Sequence, residues 1–213
     1  MIMGFLSKLF GRKSAPDWTL IADEKRAYFS KFLGEPADAV LFSPIPIQFG
    51  GMADLWIFPN KIPGTILTTM QLVAPGRTPQ KTGKLGKFEI AMVIREDISD
   101  TSSLESENEN PDSNLNLVRG LLTAMSLFTE MAILQPGETA EIPTEDPLEP
   151  SIYILFDCLI KPDSSNLIGN ETIALLLAMK ITKQDFAYKE THGGKVLIQK
   201  LKEAKRYPYT QAT

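Results

Sequence analysis

The sequence is poor in the residues that most often build catalytic and metal sites. Its 213 residues include one histidine, His192, and one cysteine, Cys158. A Ser-His-Asp triad could use only His192, and a zinc site built from Cys and His would lack ligands, although an all-carboxylate metal site stays open. A single cysteine also excludes an intramolecular disulfide. This indicates a reducing compartment, and we expect the cytoplasm.

Long apolar runs and nucleotide-binding motifs are missing as well. The longest apolar run, residues 173–179, is far shorter than the ~20 residues that a membrane-spanning helix needs. No G-x-G-x-x-G or G-x-S-x-G motif occurs, and KTGK at 81–84 lacks the spacing of a P-loop. The net charge of −4 argues against nucleic-acid binding, which usually relies on a basic surface. We therefore expect no cofactor and no nucleic-acid partner.

What the chain does contain is a succession of helix and strand patterns. Apolar residues at helical spacing predict helices over 17–34 and 114–134, the second with a buried face that includes Met131. Short runs rich in Ile, Val, Phe and Thr, separated by Gly and Pro, predict strands. These runs lie at 37–49, 53–60, 64–74, 87–96, 151–160 and 171–182. We expect a single domain over 17–213.

The first 16 residues form an amphipathic segment by their pattern. Apolar residues recur at helical spacing and share one face, and basic residues lie near them in sequence. The residues expected to contact a membrane or a partner are Phe5, Leu6, Leu9 and Phe10. A short basic helix can lie weakly on an anionic membrane, or it can pack on the protein itself or on another subunit; ten residues bury too little area for firm anchoring.

Charge is distributed unevenly along the chain. Residues 96–112 carry seven acidic residues and no basic ones, which predicts a solvated loop. Residues 77–87 and 195–206 are basic by contrast. Such asymmetry can steer a charged protein partner. The candidate partner-binding residues are Glu96, Asp97, Asp100, Glu105, Glu107 and Glu109.

The segment around His192 has a structural interpretation. Thr182 and Asp185 fit the [ST]-x-x-[DE] capping box that starts a helix. Gly193 and Gly194 supply the backbone freedom that a helix end needs, and an amphipathic helix follows. His192 is then a residue between two helices rather than a catalytic base.

Two carboxylates interrupt apolar strands and are the remaining candidates for chemistry. The alternation of the strand predicts that Glu89 faces outward. Asp157 breaks a nearly continuous apolar run, and we expect it to cap a loop or to pair with a lysine. A hydrolase built on His192 or on these carboxylates is the third hypothesis for function.

The order of the motifs resembles the suppressor of fused-like family. The C-terminal order ITKQDFAYK, ETHGG and VLIQKL is similar to the end of that domain. Upstream, LWIFPN, TILTTMQ and KFEIAMVI resemble its strands, and NLVRGLLTAM with LQPGETAEIP resembles its middle helix and following turn. The resemblance covers about residues 35–203. Thr69 and Gln71 depart from the glycine and serine of the family pattern.

The resemblance implies an α+β fold with a mixed β-sheet and helices packed against it. It also implies a non-enzymatic protein-binding domain of the single-domain bacterial type. Small bacterial relatives look like immunity-type proteins that neutralise toxins, so the implied partner is a protein, such as a toxin. The alternative is a membrane-surface-associated accessory protein that uses the N-terminal segment. The sequence sets no oligomeric state.

Overall fold

The computed structural model describes residues 18–45, 49–59, 61–74, 79–98, 104, 110, 113–145, 147 and 151–210. Within these ranges the chain forms a seven-stranded sheet with helices on both faces. In chain order the elements are α1 (Trp18–Leu33), β1 (Val40–Leu41), β2 (Leu55–Pro59), β3 (Thr65–Thr69), β4 (Lys87–Ile94), α2 (Asn114–Phe128), β5 (Thr139–Pro143), β6 (Ser151–Ile160), β7 (Ile173–Ile181), α3 (Lys183–His192) and α4 (Gly194–Glu203).

The sheet is mixed, as the α+β expectation requires. Its strand order is β1-β2-β3-β4-β7-β6-β5. Only β4 and β7 pair in parallel, and the other neighbours are antiparallel. The strands β2, β4 and β7 therefore begin at the same end of the sheet, which we name the proximal end. The opposite end, where β4 and β7 finish, is the distal end.

Each face of the sheet carries its own core. The residues of β7, Lys180 included, are buried from Ile173 to Ile181, because helices cover the sheet on both sides and a nearly continuous apolar run can be buried there. Leu176 and Ala178 belong to the cluster under α2. Leu175 and Leu177 belong to the cluster under α1 and α4. The edge strand β5 alternates between half-buried and exposed residues instead.

The helix α2 is shorter than its apolar pattern predicts. The pattern extends to Leu134, but the helix ends at Phe128 with Thr129 as its cap. The carbonyl of Thr129 accepts a hydrogen bond from the Lys81 backbone N–H at 2.8 Å, so the β3–β4 connection occupies the helix end. Met131, predicted in the core, is 64% exposed, which corrects that prediction.

The first predicted strand is also shorter than expected. Residues 37–49 were predicted as one run, and only Val40–Leu41 pair with β2. Pro44 has no backbone N–H for a strand ladder, and the side chain of Ser43 accepts from the Met52 N–H at 3.1 Å. The described residues after Leu41, up to Ile45, thus belong to a loop, and this loop lies at the proximal end because β2 begins there.

Candidate functional site

His192 is the last residue of α3 and belongs to the end of that helix. The capping box at its start is present, with reciprocal hydrogen bonds between Thr182 and Asp185. His192 stacks on Tyr188 with ring centroids 4.0 Å apart, and its Nδ1 lies 3.0 Å from the Tyr188 carbonyl oxygen. The imidazole is exposed and contacts its own helix, so it has no catalytic surroundings in the described part of the chain.

Glycine is required at both positions after His192, for a different structural reason at each. Gly193 adopts a φ of +84°, which side chains other than glycine's rarely allow. A Cβ on Gly194 would lie 1.9 Å from the carbonyl oxygen of Gly137. Only glycine therefore allows the start of α4 to pack this closely against the turn before β5. The His-Gly-Gly stretch therefore ends α3 and begins α4, as the capping signals predicted.

Glu89 is buried, and the prediction that it faces outward is wrong. Its side chain is 0% exposed on the α1 face of β4. Lys25 of α1, also 0% exposed, donates to Glu89 Oε1 at 2.5 Å. Successive side chains of β4 do alternate between the two faces of the sheet. Because helices cover both faces, each set of side chains lies in a core and neither set faces solvent.

Backbone groups of the β3–β4 connection complete this buried ion pair. The N–H groups of Leu72 and Val73 donate to Glu89 at 3.0 and 3.2 Å, and the Thr69 hydroxyl donates at 2.7 Å. Lys25 donates in turn to the carbonyl oxygens of Met70 and Val73. Each charge is hydrogen-bonded, which is what a buried pair needs to be tolerated. The centre joins α1, β4 and residues 69–73, and no face of it is open to a substrate.

Asp157 pairs with a tyrosine, not with a lysine or a loop backbone as predicted. It is half-buried on β6 and accepts from the Tyr207 hydroxyl at 3.0 Å and from the Cys158 N–H at 2.8 Å. Burial and then the charge of Asp157 raise the pKa of the Tyr207 hydroxyl. Tyr207 therefore stays neutral and donates, which fixes the segment after α4 to the sheet.

Cys158 lacks the surroundings of a nucleophile. It is half-buried and packs against the core under α2. Burial and the nearby Asp157 charge raise the pKa of its thiol, which disfavours the reactive thiolate. We assign it to packing.

The described residues offer no other centre for chemistry. No group of three or more His, Cys, Asp or Glu side chains within them could hold a metal ion. An open depression of about 430 Å³ lies on α1, and one of about 400 Å³ lies on α3 and α4. Both are lined by exposed helix residues, away from Glu89 and Asp157. Among the helices described, none is both long and apolar enough to span a bilayer.

The acidic segment leaves the sheet at the distal end, directly after β4. The Thr65 hydroxyl donates to the Glu96 carbonyl oxygen and accepts from the Ile98 N–H, each at 2.8 Å. Asn114 of α2 donates to Glu96 Oε1, while the buried Glu96 Oε2 has no hydrogen-bond partner among the described residues. Ile98 and Leu104 are buried in the core under α2, and Asp97 is exposed.

The other predicted contact residues lie outside the described residues. In the acidic segment these are Asp100, Glu105, Glu107 and Glu109. In the N-terminal segment they are Phe5, Leu6, Leu9 and Phe10. The assignment of these residues to a partner or a membrane stays a prediction.

The proximal end carries exposed apolar side chains that no sequence pattern singled out. The loop after β1 exposes Phe42, Ile45 and Phe49, with exposed fractions from 51% to 76%. The end of α2 and the residues after it expose Leu127, Met131 and Ile133. We name these six residues the apolar end. Solvent-exposed Phe and Met side chains grouped on one surface are typical of an interaction site.

Comparison with known proteins supports the fold. No protein-family model matches the chain, and neither does any curated protein. Among solved structures, "the Sufu-Fu complex crystal structure" contains a chain that is 15% identical, with a TM-score of 0.51, and the match covers 88% of this chain and 84% of that one. The chain has a suppressor of fused-like fold.

A second match shows how the sizes compare. The crystal structure of Drosophila suppressor of fused is 14% identical with a TM-score of 0.49, and the match covers 88% of this chain and 47% of that one. The chain thus spans about half the length of that suppressor of fused chain. The low identities mean that the likeness concerns the suppressor of fused-like fold and not the residues of a site.

Composition marks the acidic segment, whose role stays a prediction, whereas no pattern marks the apolar end. The apolar residues of 37–49 fit a strand pattern, and Met131 fits the buried face of a helix, so neither pattern indicated an exposed apolar surface. The prolines in the first stretch were the signal that the strand would stop early. Met131 and Ile133 were included in the predicted helix because Pro136-Gly137 was the signal used for its end. The observed helix ends earlier, at Phe128.

Proposed function

We propose that this chain is a non-enzymatic protein-binding domain of the immunity type, which neutralises a toxin by direct contact. The fold supports the first part, because one of the solved structures it resembles is that of a Sufu-Fu complex. The toxin as partner rests on the resemblance to small bacterial single-domain proteins. The partner is expected to bring a basic surface to the acidic segment 96–112.

The observation that carries the proposal is the way this acidic segment is held at the distal end. Ile98 and Leu104 anchor it in the core, and Thr65 and Asn114 hold Glu96 by hydrogen bonds. Three of the described residues of this acidic stretch, Glu96, Ile98 and Leu104, are thus held against the sheet and α2. Anchored charge of one sign suits a partner of opposite charge.

The groups with catalytic potential support a binding role over an enzymatic one. Glu89 is enclosed in its ion pair, Asp157 holds Tyr207, and His192 stacks on its own helix. Each is engaged in holding the fold together. A hydrolase would need at least one of them to face a substrate.

The test is affinity capture from the lysate of the native cell, followed by mass spectrometry. The bait is the full chain or the variant D97N/D100N/E105Q/E107Q/E109Q, in which Glu96 is kept for its hydrogen bond to Asn114. A matched control neutralises exposed acidic residues elsewhere, as D23N/E35Q/E138Q/E190Q/E203Q. We expect a basic protein that the wild type and the control retain, and that the segment variant binds on the order of tenfold more weakly.

Two results would overturn the proposal. Equal recovery of the partner by the segment variant and the control would remove the acidic segment from the interface. For the toxin, the captured protein is expressed alone and together with the chain. Growth arrest that co-expression relieves is the expected result, and a partner that is harmless alone rules out the immunity role.

A further inference from the structure

Residues 70–73, the turn that follows β3, are held by the buried ion pair through four backbone groups. Lys25 donates to the carbonyl oxygens at both ends of this turn. Glu89 accepts from the N–H groups of Leu72 and Val73 at 3.0 and 3.2 Å. The backbone of the turn is therefore fixed relative to α1 and β4, and we name it the pinned turn.

One side chain of the pinned turn reaches from the core to the start of β2 at the proximal end. Gln71 is half-buried, and its amide nitrogen donates to Asp54 Oδ2. The main chain makes the same approach, because the Met70 N–H donates to the Asp54 carbonyl oxygen at 3.1 Å. Since the ion pair fixes the backbone that carries Gln71, it also fixes where this side chain can bond.

Asp54 in turn holds the β1–β2 connection. Its other carboxylate oxygen, Oδ1, accepts from the Ser43 N–H at 2.8 Å. The Ser43 hydroxyl donates to the Ile45 carbonyl oxygen at 2.7 Å and accepts from the Met52 N–H at 3.1 Å. Ser43 thus joins the two sides of the connection, and Asp54 attaches Ser43 to the start of β2.

The helix α2 holds the same connection by separate bonds. Arg119 donates to the Phe42 carbonyl oxygen at 2.9 Å. The Ala53 N–H donates to the Thr123 hydroxyl, also at 2.9 Å. Neither bond involves the pinned turn. The β1–β2 connection therefore has one attachment to α2 and one through Asp54, and each attachment can be broken while the other is kept.

The chemistry of the buried pair suits a positioning role. Lys25 and Glu89 are fully buried, and the desolvation of two charges offsets most of their attraction. Apolar side chains of similar volume would pack α1 on β4 with comparable stability. They would not form hydrogen bonds with the backbone of the pinned turn. What the ion pair adds to the core is therefore a fixed direction for the groups of this turn.

We propose that Lys25 and Glu89 are the origin of a hydrogen-bond relay that positions the β1–β2 connection from the core. The relay runs through the pinned turn to Gln71, Asp54 and Ser43. It couples α1, which carries Lys25, to a surface connection at the proximal end. A displacement of α1 that stretches the ion pair also releases this connection, so a contact made on one of them is transmitted to the other.

The test is hydrogen exchange of the full chain, followed at single amides by NMR. The Ser43 amide reports the relay, and the Ala53 amide reports the attachment to α2. Gln71→Ala breaks the relay in its middle and leaves the ion pair intact. We expect exchange at Ser43 to become faster on the order of fivefold, with exchange at Ala53 near wild type. The matched control, Thr123→Val, is expected to speed exchange at Ala53 and not at Ser43.

Glu89→Gln breaks the relay at its origin and is expected to speed exchange at Ser43 at least as much. This variant also loses global stability, so Val118→Ala, in the core under α2, is the control for lowered stability. A loop amide exchanges by local opening, so Ser43 should stay near wild type in that control. Lys25→Met with Glu89→Leu restores packing without the hydrogen bonds. Ser43 is expected to exchange as fast in this variant as in Glu89→Gln, despite its greater stability.

Links of one relay act in series, so the variant E89Q/Q71A is expected to exchange at Ser43 no faster than Glu89→Gln alone. Three outcomes would overturn the relay. The first is unchanged exchange at Ser43 in Gln71→Ala. The second is the same exchange there in Glu89→Gln as in Val118→Ala. The third is effects that multiply in the double variant. Neutralising the acidic segment 96–112 is expected to leave Ser43 unchanged, so the relay and the proposed protein binding fail independently.

Discussion

Glu89 and Asp157 interrupt apolar strands of the same sheet, and the structure treats them in opposite ways. Glu89 is 0% exposed and takes part in an ion pair with Lys25. Asp157 is half-buried and accepts from one tyrosine hydroxyl. The strand β4 lies in the middle of the sheet under α1, whereas β6 lies next to the edge strand β5. The position of the strand in the sheet decides whether its carboxylate is buried or partly exposed. The residues next to that carboxylate in sequence do not reveal this position.

The largest expected effect comes from breaking the buried pair. Glu89→Gln leaves the Lys25 charge in the core without its counter-charge. We expect the free energy of unfolding in urea to fall by about 3–5 kcal/mol. The control is Glu171→Gln, which breaks the exposed pair with Lys87 and should cost less than about 1 kcal/mol. Similar losses for both variants would show that burial does not set the strength of the pair.

Replacing both charges sharpens the same point. Lys25→Met with Glu89→Leu removes the desolvation cost together with the attraction. We expect the double variant to be more stable than Glu89→Gln and to remain about 1–3 kcal/mol below the wild type, because Leu72 and Val73 lose the acceptor of their N–H groups. Hydrogen exchange should then be faster at those two amides. Unchanged exchange there would mean that the ion pair does not hold residues 69–73.

Asp185 is an intermediate case between the two carboxylates. Burial alone would raise its pKa, but hydrogen bonds from Arg206 and Thr182 outweigh burial and lower it. A lowered folded pKa means that the stabilisation is present above the unfolded value of about 3.9 and is lost as pH falls. Asp185→Asn is expected to cost about 1–2 kcal/mol near neutral pH. Its difference from the wild type in urea unfolding should shrink towards about pH 3, and a constant difference would contradict the assignment.

Asp157 is expected to matter least. Asp157→Asn keeps an acceptor for the Tyr207 hydroxyl and should cost about 0.5–1.5 kcal/mol near neutral pH. The clearer readout is the ionisation of Tyr207, followed by ultraviolet absorbance. Its raised pKa means that its stabilisation is present below about pH 10 and is lost as pH rises. The variant should lower this pKa because the negative charge is removed, and an unchanged titration would show that burial alone raises it.

Local patterns predicted the elements of this fold except the edge strand β5, and they predicted some of the ends of those elements. Some features depend only on a few neighbouring residues, so the sequence predicts them. These are the apolar runs of β4, β6 and β7 and the capping box at Thr182. The ordered motifs also led to the suppressor of fused-like fold. The acidic segment was found because composition alone marks it, and its anchoring by Ile98 and Asn114 was not visible.

By itself, then, the sequence determined where most of the helices and strands lie, where charge accumulates, and that His192 belongs to a helix end. These features arise from backbone preferences and side-chain periodicity within a few residues. Only the tertiary structure decided that Glu89 is enclosed by Lys25, which is 64 residues away in the chain. It also decided that Phe42, Phe49 and Met131 stay in solvent at one end of the sheet. Burial is set by which elements pack together, because an apolar pattern states that a side chain can be buried but not what covers it.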